Sequence, residues 1–168
     1  MKKLLALFMA ICLVFSLCSC TFLKDVSDSG GIEKPKIFEF DGISIELTTD
    51  FLRMDFISEE YDFVIGNDGL TVMGMKVPFE DNTDISVMDY AETFHSAFSS
   101  YNPTKITQIE DIPTFQYVIR DKDDDLRAAV TFYKGTDCFW VILFTEETDD
   151  FNEHYSDICK YAKSVKCE

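Results

Sequence analysis

The stretch Cys138–Thr145, which reads CFWVILFT, decides the fold of this 168-residue chain. A strand with one face in water alternates apolar and polar residues, but this stretch is apolar at both alternating positions. Such a strand must be covered on both sides. We therefore expect a sheet that lies between two other layers, with this strand inside it.

Strand-like runs precede this stretch on its N-terminal side. The connections between them are short, and one of them, Gly66–Gly69, has the composition of a tight turn. Hairpin-length connections predict a mainly antiparallel sheet. The predicted strands are Ile37–Phe40, Ile43–Leu47, Tyr61–Ile65, Leu70–Phe79, Thr104–Ile109, Phe115–Arg120 and Leu126–Lys134.

Two segments have helical periodicity instead. The first follows Ser86, an N-cap residue type with Asp89 three positions on, and ends at Asn102-Pro103. The second is expected from Phe151 to Lys166, with Asp150 and Glu153 as its capping pair. The order strands, helix, strands, helix predicts the α+β class. We expect a mainly antiparallel sheet of about six to eight strands with helices on both faces, an α/β/α sandwich.

The N-terminus reads as an export signal. Two lysines precede an apolar run from Leu4 to Leu17, and small residues follow. The run would span about 21 Å as a helix, against a hydrocarbon core of about 30 Å. It is too short to be a good membrane anchor.

The residues Leu17-Cys18-Ser19-Cys20 resemble the lipobox of bacterial lipoproteins. The resemblance implies that residues 1–19 are a signal peptide and that Cys20 carries the lipid. The protein would then be lipid-anchored on the extracytoplasmic face of a bacterial cell membrane. Residues 20–36 are polar with two adjacent glycines and predict a flexible tether. Residues 37–168 are expected to form a single globular domain.

The net charge of the chain and the motifs it lacks argue against several classes of function. The formal net charge is −16, and the signal holds two lysines and no acidic residue, so the mature part is more acidic still. Such a charge argues against nucleic acid as a partner. No nucleotide-binding, nucleophile-elbow or zinc-protease motif is present, so we expect no cofactor and no enzyme. The histidines, His95 and His154, are expected at the surface or its boundary.

Acidic residues should gather at one end of the sheet. In a regular meander, the strand before Asp121 and the strand ending at Thr145 run towards the same end. We therefore hypothesise an acidic pole that could take divalent cations or a basic partner. Asp121–Asp125 is not an EF-hand loop, because Leu126 stands at its glycine position and Phe132 at its bidentate glutamate position. The pole comprises Asp121, Asp123, Asp124, Asp125, Glu146, Glu147, Asp149 and Asp150.

Three cysteines remain after the lipidation site. Cys138 begins the aromatic strand, and a final helix antiparallel to that strand should return Cys167 to its side. A Cys138–Cys167 disulfide would stabilise the domain by roughly 3–4 kcal/mol in the chain-entropy model. Cys159 is expected to be a buried thiol.

The run Phe40–Leu47 (FDGISIEL), the central helix, the meander ending in an aromatic strand and the closing helix resemble PsbP-like domains. That family includes extrinsic photosystem subunits, a Ran-binding transport protein and many bacterial lipoproteins. The resemblance implies a non-catalytic binding or accessory module, whose partner would be an unknown protein or small ligand. The alternatives are an envelope enzyme or enzyme subunit without a visible motif, a cation-binding surface protein, and a purely structural envelope component.

Overall fold

The computed structural model of the chain describes residues 34–54, 60–79, 85–120 and 125–168. The expected signal peptide, Cys20 and most of the tether lie outside these residues, as do Asp121, Asp123 and Asp124. No helix within the described ranges is long and apolar enough to cross a membrane.

A seven-stranded antiparallel sheet forms the centre of the domain. Its order is β3-β4-β5-β9-β8-β7-β6, and β9 lies in the middle, paired with β5 and β8. Every residue of β9 except the last is buried, which confirms that this strand is covered on both faces. The strands are β3 (Leu52–Arg53), β4 (Phe63–Gly66), β5 (Thr71–Pro78), β6 (Thr107–Ile109), β7 (Ile112–Arg120), β8 (Asp125–Lys134) and β9 (Cys138–Glu147).

Two helices cover opposite faces of this sheet. Helix α1 (Val87–Ala97) packs Ala91 and Phe94 into one apolar core, and α2 (Thr148–Ser164) contributes Phe151, Ile158 and Ala162 to the other. Side chains of β9 alternate between the two cores, with Trp140 on the α2 side and Val141 on the α1 side. The predicted α+β sandwich with a mainly antiparallel sheet is therefore confirmed.

A second, smaller sheet lies on the α2 side and was not predicted. It consists of β1 (Pro35–Phe40), β2 (Ile43–Thr48) and β10 (Lys166–Cys167), in the order β1-β2-β10. The final helix therefore ends at Ser164, earlier than predicted, because the last residues pair with β2 instead. The Ser164 hydroxyl accepts from the Glu46 N–H at 3.0 Å and lies 3.0 Å from the Glu46 carbonyl, which ties the helix end to β2.

The predicted helix starts were right for α1 and wrong for α2. Ser86 caps α1 by accepting from the Asp89 N–H at 3.1 Å. Helix α2 begins at Thr148 directly after β9, so Asp150 lies inside its first turn and is no cap. The Thr148 hydroxyl instead donates to the Asp125 carbonyl at 2.7 Å, which starts the helix against the neighbouring strand.

The end of α1 shapes one edge of the sheet. The helix stops at Ala97, short of the predicted Asn102-Pro103, and Ser99–Tyr101 form a 3₁₀ turn. Asn102 then takes a left-handed conformation with φ of 48°, a conformation that asparagine tolerates better than most residues. The chain reverses there and runs back alongside β7.

Candidate functional site

The described acidic residues of the hypothesised pole lie at one end of the sheet. Asp125 begins β8, and the register sets Leu126 opposite Glu147 at the end of β9. Asp149 and Asp150 follow in the first turn of α2, where acidic side chains favour the helix dipole. Within residues 34–54, 60–79, 85–120 and 125–168, no group of three acidic, histidine or cysteine side chains could hold a metal ion. The cation hypothesis thus stays a prediction.

Glu146 does not belong to the exposed acidic surface. Its side chain is 2% exposed, and its Oε1 lies 2.6 Å from Nδ1 of His154. The backbone of Gly69 lies close to the Glu146 carboxylate, because a Cβ atom on Gly69 would be 3.0 Å from Oε1. The pKa of His154 is raised by the hydrogen bond to Glu146 and by its charge, with smaller contributions from Asp150 and Asp157. This pair holds the end of β9 against α2.

The two histidines lie on different faces of the sheet. His154 belongs to α2, and His95 belongs to α1. Nε2 of His95 lies 2.9 Å from the Thr104 carbonyl, which can only accept, so this nitrogen carries the proton. His95 also packs edge-on against the Phe115 ring at 4.9 Å. It therefore fixes the segment that runs beside β7.

Cys138, Cys159 and Cys167 are free thiols in the structure. Cys138 is buried at the start of β9, and Cys167 is half-buried in β10. Burial raises the pKa of Cys138 to about 11, and burial followed by the charge of Cys138 raises the pKa of Cys167 to about 12. The two lie in the same region, since Cys138 acts electrostatically on Cys167, and Gly135 lies close to both the Cys138 sulfur and the carbonyl of Glu168, the residue after Cys167. The bridge between them stays a prediction.

An open cleft of about 550 Å³ lies along the edge of the sheet at β7. One wall comes from the segment after α1, and the floor comes from the second half of β7. Tyr101 and Tyr117 pack against each other there, with ring centroids 5.7 Å apart. The cleft is lined by Ser100, Tyr101, Asn102, Thr104, Gln116, Tyr117, Val118, Arg120 and Arg127.

The two arginines supply the positive charge of this cleft. Arg127 is held in place because it donates to Oδ1 of Asn152 at 2.9 Å and lies 5.6 Å from the Phe151 ring. Arg120 is exposed at the end of β7. Among the described residues, no carboxylate forms an ion pair with either guanidinium, although Asp125 is the cross-strand partner of Arg120. Two guanidinium groups therefore line a cleft in a strongly acidic protein.

Sequence reasoning missed this cleft. Arg120 and Arg127 stand at ordinary strand positions, and the wall after α1 was read as helix followed by a long strand. The only signal was the pair of arginines beside an acidic turn. Their common placement depends on the register of β7 against β8, in which Val118 faces Arg127.

Comparisons with known proteins identify the fold. No protein-family model matches the chain, and no curated protein is significantly similar to it. The solution structure of the cyanobacterial PsbP (CyanoP) from Synechocystis is similar, with a TM-score of 0.51 and 13% identity over 86% of this chain and 98% of that one. The Saccharomyces cerevisiae Ran-binding protein Mog1p has a TM-score of 0.53 and 11% identity over 81% of this chain and 96% of that one. The domain therefore has a PsbP-like fold.

Proposed function

We propose that this chain is a lipoprotein, anchored on the extracytoplasmic face of a bacterial membrane, whose PsbP-like domain is a non-catalytic binding module. The open cleft at the β7 edge is the observation that carries the binding part of the proposal. It combines two tyrosine rings, amide groups and two arginines on a surface that a partner can reach without any movement of the domain. A small-molecule enzyme would instead favour an enclosed pocket with converging polar groups.

The lipobox-like residues Leu17–Cys20 support the anchor. Two acyl chains on one cysteine give stable attachment, whereas a single chain binds only marginally. Strand β1 begins at Pro35, so fourteen residues, 21–34, lie between Cys20 and the fold. A flexible segment of that length spans roughly 20 Å on average. The domain would thus stand close to the membrane, with its cleft open to partners in the envelope.

The fold supports a binding role by analogy. Mog1p is described as a Ran-binding protein, and CyanoP is a PsbP protein. Both similarities lie near 10% identity, so no partner can be carried over from either protein. The analogy supports only a general role, in which the domain presents a binding surface to another protein.

Membrane fractionation of a Cys20→Ala variant tests the anchor. We expect the variant to leave the membrane fraction or to keep its signal peptide, while the domain stays folded. Cys18→Ala is the matched control, since Cys18 occupies the tolerant position of the lipobox, and it should fractionate like the wild type. A Cys20→Ala protein that is processed and still found in the membrane fraction would contradict the anchor.

Photo-crosslinking on intact cells tests the binding role. A photoreactive residue at Ser100 lines the cleft, and one at Thr136 in the β8–β9 turn is an exposed control. We expect Ser100 to give one recurrent crosslinked neighbour that Thr136 does not give. If neither position nor others spread over the surface yields a recurrent neighbour, the domain is a structural envelope component and the binding role is wrong.

A further inference from the structure

The second half of β7 is an open sheet edge. Its neighbour β6 covers only Ile112–Thr114, and the next contact comes from Thr104, which binds both the N–H and the carbonyl of Gln116. Backbone groups of a strand point alternately to its two sides. Because Gln116 points outward to Thr104, the backbone groups of Val118 and Arg120 also point outward, away from β8. No strand of the described chain pairs with them.

The cleft runs along this free edge and reaches both faces of the sheet. Tyr117 belongs to the α1 side, where it packs with Tyr101 and Phe98. Val118 and Arg120 belong to the α2 side, together with Arg127, which lies opposite Val118. The edge therefore has aromatic rings on one face and guanidinium groups on the other.

The two arginines are neighbours on the α2 face. Arg120 is opposite Asp125, and Arg127 is two residues further along β8, so the arginines are diagonal partners about 7–8 Å apart at the backbone. Long side chains reach each other across such a distance. Carboxylates placed beside the edge on this face would lie next to Arg120 and on the face of the sheet that carries Arg127.

We propose that a short acidic peptide segment binds by adding an extended strand to this open edge of β7. The proposal rests on the proposed binding role and names its partner class. Main-chain hydrogen bonds to Val118 and Arg120 would hold the segment, as in other cases of strand addition. Because side chains of a strand alternate between faces, the ligand alternates acidic residues, facing Arg120 and Arg127, with apolar residues, facing Tyr101 and Tyr117.

The two guanidinium groups that line the cleft favour an acidic segment over a basic one. At about 0.15 M salt the Debye length is about 8 Å, so charges further from the edge than that are largely screened. Within that distance, Asp125 lies opposite Arg120, and the buried Glu146, which is paired with His154, lies opposite Arg127. A free carboxylate or phosphate would use the same arginines without the strand edge. The backbone donors at Val118 and Arg120 distinguish the peptide from such an ion.

The test uses the full-length protein in detergent and a fluorescent peptide, Glu-Val-Glu-Val-Glu-Val with blocked ends. The matched probe is Lys-Val-Lys-Val-Lys-Val. Val118→Pro removes the outward N–H, and proline is tolerated at an edge strand when its N–H would face solvent. Arg120→Gln removes one charge, and Lys34→Gln removes one charge at the start of β1, on the other sheet. Circular dichroism and thermal unfolding confirm that each variant is folded.

We expect the glutamate peptide to bind and the lysine peptide to bind at least tenfold more weakly. Val118→Pro and Arg120→Gln should each weaken binding about tenfold or more, which is about 1.4 kcal/mol, and Lys34→Gln should not change it. Hydrogen exchange at the Val118 and Arg120 amides should slow in the complex.

Several outcomes would overturn this proposal. Binding that Val118→Pro leaves unchanged, or that inorganic phosphate abolishes at equal concentration, would show that the arginines bind an anion only. No binding of the glutamate peptide would also reject it. If crosslinking still yields a recurrent neighbour through another surface, the strand-edge proposal fails while the binding module stands. If no neighbour appears anywhere, the proposed function itself fails.

Discussion

His154 and Glu146 form a hydrogen-bonded pair in which the histidine is half exposed and the glutamate is buried. Nδ1 of the ring lies 2.6 Å from Oε1, while Oε2 has no hydrogen-bond partner among the described residues. His154 is thus the hydrogen-bond partner of a carboxylate that is buried away from water. Its ring joins the last buried position of β9 to the second turn of α2.

The stability of the domain should fall as pH rises through the titration of His154. The pKa of His154 is raised above its usual 6.5 by Glu146, so the folded state binds the proton more tightly than the unfolded state. The pair's contribution is fully present below about pH 6.5 and is lost as pH rises through the raised pKa. Urea unfolding between pH 5 and 8 measures this.

A His154→Gln variant should lose that part of the pH dependence and be less stable at acidic pH. Glu147→Gln, an exposed neighbour at the end of β9, should leave the curve unchanged. A wild-type curve that rises steadily across this range with the same slope in His154→Gln would contradict the role of the pair.

Tyr133→Phe should destabilise the domain by roughly 0.5–1.5 kcal/mol. The Tyr133 hydroxyl donates to the Ala162 carbonyl at 2.8 Å, which anchors the last turn of α2 to β8. Without it, the Ala162 carbonyl at the helix end keeps only the long hydrogen bond from the Val165 N–H at 3.4 Å. Tyr90→Phe is the control, because Tyr90 acts mainly through ring stacking on Phe139 at 4.2 Å. Equal losses in both variants, measured by chemical denaturation, would argue against this anchor.

Gly74→Ala should destabilise the domain by about 1–3 kcal/mol or more. A methyl group at Gly74 would overlap the Phe63 ring, which is stacked on Phe40 with centroids 4.0 Å apart. The ring cannot move away without losing that contact between the two sheets. A double-mutant cycle with Phe63→Leu provides the control, since the smaller side chain should recover part of the loss. Purely additive effects would show that the ring is not the obstacle.

The oxidised, exported protein should contain a Cys138–Cys167 disulfide. The structure holds both as free thiols in the same region beside Gly135, with Cys159 apart on α2. Thiol counting under denaturing conditions, with Cys20 blocked by its lipid, should then find one reactive thiol. Cys159→Ser should lower that count to none. Three reactive thiols in the wild type would rule the bridge out.

Local sequence patterns predicted most elements of the fold because they depend on neighbouring residues. The two apolar faces of β9 required cover on both sides, and the turn Gly66–Gly69 required a hairpin between β4 and β5. The errors occurred at the ends of elements. Helix α2 starts three residues before the predicted Phe151, because the Asp125 carbonyl on the neighbouring strand accepts a hydrogen bond from the Thr148 hydroxyl. The helix ends at Ser164, because the residues that follow it pair with β2.

Sequence patterns predicted much less of the candidate site than of the fold. The acidic pole stays a prediction, and burial removes Glu146 from its exposed surface. No local pattern signals such burial, because it follows from the close approach of Gly69 from another hairpin. Arg120 and Arg127 carried no motif at all.

The sequence by itself determined the two covered faces of the central strand and the class of the fold, since periodic apolar residues must be buried wherever the chain goes. It also predicted that Cys20 carries the lipid that anchors the protein to a membrane. Only the tertiary structure decided which part of the sheet edge stays open. Strand β6 is only three residues long, and the contact of Thr104 with β7 is at Gln116. No strand among the described residues therefore pairs with the outward backbone groups of Val118 and Arg120, beside Arg127 and the two tyrosines.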